Sequence, residues 1–170
     1  MVQGQKDVGI AVGADQAGTV VVEFGYNATS QSNASNYFAG YPLDGQTDVP
    51  LFMQSETPNP FPDLDPMSTD YPTKTSYPIS VMSVAGSVLA VSSFTVTPIG
   101  QSTPLSARLV THASDSLIGP NTAWLVGNAP FLSSTVYQVH FAGAVNGVPV
   151  SKDWRFTTSA CGVYQSYTGC

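Results

Sequence analysis

Charge is what this sequence has least of. Only 9% of its 170 residues are Asp, Glu, Lys or Arg, and Lys and Arg together number five. An ordinary globular protein carries roughly 25% charged residues. Five scattered cations cannot build the basic groove that holds nucleic acid. A net charge of −6 is repelled by an anionic membrane surface. No apolar run reaches the ~18 residues of a membrane-spanning helix. The opening MVQGQKDVGI lacks the apolar region of a secretory signal and reads as a trimmed start just ahead of a strand. Helix-like apolar spacing is also missing from any 11-residue window free of Gly and Pro, so helices are not expected.

Cysteine is nearly as scarce. Cys161 and Cys170 are the two in the chain. Their spacing fits neither a zinc site nor a Cys-x-x-Cys redox motif. A close pair at a chain end reads as a disulfide tying down the terminus in an oxidising compartment; two free thiols are the alternative. Closing so short a loop contributes about 2–3 kcal/mol at most. Two histidines, His112 and His140, are too few for a zinc site without acidic or thiol partners brought in from elsewhere. No Gly-x-Ser-x-Gly elbow exposes a nucleophilic serine. These absences lead to the expectation of a chain that is not an enzyme.

What the chain does have is β-branched and aromatic residues between turns. Over 6–26, KDVGIAVG, the turn GADQAG and TVVVEFGY read as a β-hairpin. Residues 27–76 are rich in Pro, Asn, Asp, Ser and Thr and keep no period. A structureless stretch of that length is unusual in a compact domain. It also carries Tyr37, Phe38, Tyr41, Phe52, Phe61 and Tyr71, more aromatics than a disordered linker holds. It is expected to be an ordered, irregular wrap whose aromatics dock on a sheet.

From Tyr77 the alternation is regular. YPISVMS opens it. SVLAVSSFTVTPIG puts Val88, Ala90, Phe94 and Val96 in one phase, and TPLSARLVTH groups Leu105, Ala107 and Leu109. A short strand surrounds Trp124–Val126. STVYQVHFAGAV aligns Tyr137, Val139 and Phe141, and GVPVSKDWRFTT aligns Val148, Val150, Trp154 and Phe156. Asn146-Gly147 joins these last two as a hairpin turn. In this phase His140, Asp153 and Arg155 fall off the apolar face, while Lys152 shares the Trp154 phase and suggests a bulge or an exposed strand end. About six strands in some 80 residues predict an all-β protein, an antiparallel β-sandwich.

The run SSFTVTPIG, the later VYQVHFAGAVNG and the closing WRFTT resemble bacterial immunoglobulin-like domains over 77–158. The resemblance implies an Ig-like sandwich in which Tyr137 starts the penultimate strand and offers its hydroxyl to upstream backbone. DVGIAVGADQAGTVVVEFGY, residues 7–26, is similar to the closing hairpin of bacterial CAP (cysteine-rich secretory protein-like) domains. That likeness implies a C-terminal piece of a CAP-like protein whose activity lies upstream. The expected organisation is a hairpin over 1–26, the wrap over 27–76, the sandwich over 77–158, and a tail over 159–170 with the expected bridge.

The wrap is the expected functional surface. Tyr37, Tyr41, Tyr71 and Tyr77 stand in a polar, amide-rich context that suits stacking on carbohydrate or contact with a cell-surface protein; core packing and edge covering is the plainer role. Asp63, Asp65 and Asp70 in DLDPMSTD offer oxygen ligands for calcium, although the EF-hand spacing is missing and turn capping is the plainer role. The expected role is a secreted, periplasmic or cell-surface accessory module that binds without bond chemistry, with calcium-ordered adhesion as an alternative. If calcium orders the wrap, added calcium raises the melting temperature and a chelator lowers it, because a ligand of the native state alone must stabilise it. An unchanged melting curve removes calcium from the account.

Overall fold

The computed structural model describes residues 12–14, 20–22, 37–53, 59–64 and 70–161. The chain divides into two compact units, Met1–Ala34 and Ser35–Cys170. In the first, β1 (Val12–Ala14) pairs antiparallel with β2 (Val20–Val22). The rest of the expected hairpin lies outside the described residues.

The second unit is almost wholly strand. It contains β3 (Phe38–Tyr41), β4 (Gln46–Val49), a one-turn helix α1 (Asp70–Lys74), β5 (Ile79–Ser83) and β6 (Leu89–Pro98). After these come β7 (Ala107–Thr111), β8 (Thr122–Gly127), β9 (Val136–Val145) and β10 (Val148–Thr158). One four-stranded sheet has the order β3-β5-β8-β7 and the other β4-β10-β9-β6. Described pairs are antiparallel except β4 with β10, which is parallel. The all-β expectation holds. The one-turn helix is an addition to it.

One buried cluster takes side chains from both sheets. Ile79, Val81, Ala123 and Leu125 come from the first; Phe94, Val96, Tyr137, Val139, Phe141, Trp154 and Phe156 come from the second. The expected alternation of Tyr137, Val139 and Phe141 is reproduced by full burial of all three. Fully burying a large apolar side chain contributes about 1.5–3 kcal/mol, so these positions dominate stability. Phe141 touches Phe38 and Phe94, each with ring centroids 5.4 Å apart, and Phe94 reaches Trp154 at 6.3 Å. A second aromatic group, Phe131, Tyr137 and Phe156, packs at 4.7–5.4 Å.

Two polar details fix this core. The Leu132 N–H donates to the Tyr137 hydroxyl at 2.9 Å, the upstream backbone bond expected for this tyrosine. Burial pushes the Tyr137 phenol above its ordinary pKa, and the Leu132 N–H offsets part of that rise. Trp154 is 2% exposed, and its Nε1 is a buried polar atom without a hydrogen-bond partner among the described residues. Trp154 is therefore held by shape. Gly40 supplies the shape: a Cβ there would stand 2.9 Å from Trp154 Cζ2.

The β9–β10 hairpin forms around the expected turn, with Tyr137 opposite Phe156 and Val145 opposite Val148. Asn146 and Gly147 have φ of 50° and 80°, the left-handed pair of a type I′ turn. Lys152 pairs regularly with Phe141, so the expected bulge is not there; its ammonium lies 6.0 Å from the Trp154 ring. The stem of a lysine covers apolar surface while its head stays wet.

Register shifts fall elsewhere: in the β10–β4 pairing between Phe156 and Thr158, and on β6 between Val91 and Ser93. The extra residue reverses the side-chain phase. Leu89 is buried and Val88 exposed, whereas the sequence placed Val88 and Ala90 with Phe94 and Val96. Leu109 also departs from its expected grouping: Ala107 and Leu105 pack on the core, but Leu109 sits on edge strand β7 and stays exposed.

The described part of 27–76 holds more regular structure than expected. β3 and β4 give each sheet an edge strand. Asp44 Oδ1 accepts the Arg155 N–H at 3.0 Å, and the Gly45 N–H donates to the Arg155 carbonyl at 2.8 Å. The Ser159 N–H donates to the Val49 carbonyl at 2.9 Å. These bonds dock β4 onto β10. The open edges are blunted. β3 and β4 have four residues each, β6 carries the bulge and ends in Pro98, and β7 carries Arg108. Such features oppose strand-to-strand association.

Gly40→Ala overpacks Trp154 and is expected to lower unfolding free energy by about 1–3 kcal/mol. Tyr137→Phe strands the Leu132 N–H and is expected to cost about 1–2 kcal/mol. Urea titration of each variant checks both values. Unchanged midpoints would mean that neither contact constrains the core.

Candidate binding surface

Because side chains alternate across a strand, the core assigns the outer faces. Ala123 and Leu125 point inward, so Trp124 and Thr122 point outward. Gly40 faces Trp154, so Tyr41 and Ala39 face out. Val81 is in the core, which turns Ser80 and Met82 outward. The pairing register lines these up. Tyr41 is opposite Ser80, and Ser80 is opposite Trp124; Ala39 is opposite Met82, and Met82 is opposite Thr122. Two rows of outward residues thus cross β3, β5 and β8. Tyr41 is 39% and Met82 54% exposed, and Trp124 is half-buried.

The wrap closes the other end of this face. Met53, Phe61 and Val126 form a second buried cluster, with Leu64 packed against it. Arg108 fastens it. Its guanidinium lies 4.3 Å from the Phe61 ring centroid, donates to the Pro60 carbonyl at 2.7 Å, and meets both Asp63 oxygens at 2.8 and 3.3 Å. The expected docking of wrap aromatics on a sheet is realised here by Phe61.

Of the four tyrosines expected to form a platform, Tyr37, Tyr41 and Tyr77 have described side chains. Tyr41 and Tyr77 come together, with ring centroids 6.2 Å apart at 56°, and Gln46 Nε2 donates to the Tyr41 hydroxyl at 3.5 Å. Tyr37 is exposed just before the opposite end of β3. Tyr71 falls in α1, and its side chain lies outside the described residues. Trp124 belongs to no expected site, yet it shares Tyr41's row. The alternation inside TAWLVG, with Ala123 and Leu125 in the other phase, is the signal that could have found it.

Of the expected calcium aspartates, Asp63 has a described side chain. Asp63 is engaged by Arg108, whose hydrogen bonds hold its carboxyl below the usual range. Asp65 and the Asp70 side chain lie outside the described residues. No group of three or more His, Cys, Asp or Glu is placed to hold a metal among the described residues. The histidines serve local structure. His112 Nδ1 is 2.6 Å from the Ile118 carbonyl, and His140 Nδ1 is 2.8 Å from Asp153 Oδ1. Cys161 ends the described chain, and Cys170 lies beyond it.

The outer face of the second sheet is different in kind. His140 is opposite both Thr95 and Asp153, and Gln138 is opposite Thr97 and Arg155. Arg155 Nε donates to Gln138 Oε1 at 2.6 Å. A pocket of about 310 Å³ beside Tyr137 is lined by Pro98, Leu105, Pro130 and Leu132 together with Asn128 and Ser106. No described helix is long and apolar enough to cross a membrane. No protein-family model matches the chain, and no curated protein matches it.

Arg108→Gln is expected to loosen residues 59–64, read as faster amide exchange there with little change in β9 and β10. Acid acts in the same direction. The Asp63 pKa is depressed in the folded state. Its contribution is therefore present above the unfolded value of about 4 and is lost as pH falls through the lower folded value. Exchange at 59–64 that ignores both the substitution and acid would show that Arg108 does not hold the wrap.

Proposed function

We propose that this chain is a non-enzymatic, extracytoplasmic accessory module of a bacterial secreted or surface protein, built on an Ig-like β-sandwich that presents its surface to carbohydrate or protein. The orders β3-β5-β8-β7 and β10-β9-β6 support this fold, since they correspond to the ABED and GFC sheets of such domains, with β4 added beside the last strand. The Tyr137 hydroxyl bond to Leu132 supports it as a tyrosine corner. Cys161 is not a free thiol, which supports a Cys161–Cys170 bridge and an oxidising location.

The observation that carries the function is the exposed Tyr41 ring set against Tyr77, on a strand fixed from within by the Gly40–Trp154 contact. Aromatic rings contribute large contact area at low entropic cost and a polar tip for hydrogen bonding. A rigid ring held half in water is an anchor for a ligand.

The labelled chain is expected to be retained on a glycan array or on blotted cell-envelope proteins, with the ligand's mass unchanged after contact. Retention on neither, or release of a cleaved product, contradicts a binding module without chemistry.

A further inference from the structure

The two outer faces of the sheets are not equivalent, and their difference identifies a ligand. β3, β5 and β8 read FAGY, ISVMS and TAWLVG, without a charged residue. Arg108, the cation on this side, is engaged by Asp63, Pro60 and Phe61. The opposite outer face carries His140, Asp153 and Arg155. An uncharged face with an exposed methionine and two outward aromatic residues is poorly solvated for a surface.

We propose that the Tyr41–Ser80–Trp124 row is the binding site for a neutral polysaccharide, with Trp124 and Tyr41 as stacking rings. The inference rests on the binding-module reading and adds its site and ligand class. Tyr41 and Trp124 are separated by one intervening strand, which sets their backbones about 9.5 Å apart. Rings at that separation on one flat row meet alternate sugars of an extended chain lying across the strands. The Ser80 hydroxyl stands between them and the Thr122 hydroxyl in the next row, where sugar hydroxyls need partners. The lack of charged residues on β3, β5 and β8 selects against uronates and sulfated sugars, which would meet no counter-charge on these strands.

Size argues against a protein partner. The two rows span three strands, about 9.5 Å, and two alternate residues, about 6.6 Å along the strand. That footprint is of order 10² Å², against roughly 800 Å² per partner in a standard protein interface. A small site suits a repeating polymer, where many equivalent segments raise the apparent affinity.

Affinity electrophoresis of the whole chain in gels containing a soluble β-glucan, a mannan, an α-glucan or a polyuronate tests the assignment. At least one neutral polymer is expected to retard the protein and the polyuronate is not. Trp124→Ala and Tyr41→Ala are each expected to weaken that retardation about tenfold, as loss of an aromatic anchor does. Asp153→Ala, on the other face, leaves it unchanged. Tyr41 is exposed, so its replacement tests the site even if Trp124→Ala lowers the melting temperature. Retardation untouched by both aromatic variants overturns the site while leaving the module a binder. Retardation by the polyuronate alone, or protein binding without any neutral-polymer retardation, overturns the ligand class. Binding to nothing overturns the module reading as well.

Discussion

Gly40 has to be a glycine because Trp154 needs the space. That close approach joins the first strand of one sheet to the last strand of the other. It also decides the outer surface, since fixing Gly40 inward fixes Tyr41 outward. The unpartnered Trp154 Nε1 indicates that polar pairing does not set this position; close packing does. Tyr137 does the corresponding task at the other end of the core, through one hydroxyl bond to Leu132.

With the strands fixed, the outer faces acquire separate roles. The β10-β9-β6 face is solvated by hydroxyls, an amide and hydrogen-bonded polar side chains, as an exposed antiparallel sheet normally is. The β3-β5-β8 face leaves an uncharged aromatic strip. The wrap covers the neighbouring part of that sheet with Phe61 and Met53 and neutralises Arg108. A single segment therefore both buries apolar surface and removes the charge that would otherwise border the strip.

The parts of the fold legible in the sequence were those with several alternating residues in each phase. β9 and β10 are long, carry Tyr137, Val139, Phe141, Trp154 and Phe156 on one side, and are joined by Asn146-Gly147. β3 and β4 were not legible, because four residues offer two inward positions, and β3 spends one of them on Gly40. The phase of β6 was read wrongly before its bulge, since an extra residue leaves no mark in the composition. The candidate site was half legible. Tyr41 and Tyr77 were singled out and do meet. Trp124 was overlooked because a tryptophan in a short strand reads as core until its neighbours are placed. The Arg108–Asp63 pair joins residues 45 positions apart, and no local pattern announces such a partnership.

The chain holds two tryptophans, one sealed against Gly40 and one on the proposed row, so their indole N–H resonances separate core from surface. Titrating a soluble neutral polysaccharide into the isotope-labelled chain while following both signals is the most direct measurement. The account predicts that the Trp124 indole shifts with added polymer while that of Trp154 stays in place. Shifts confined to the His140–Asp153 face, or a stationary Trp124 signal during binding, would contradict it.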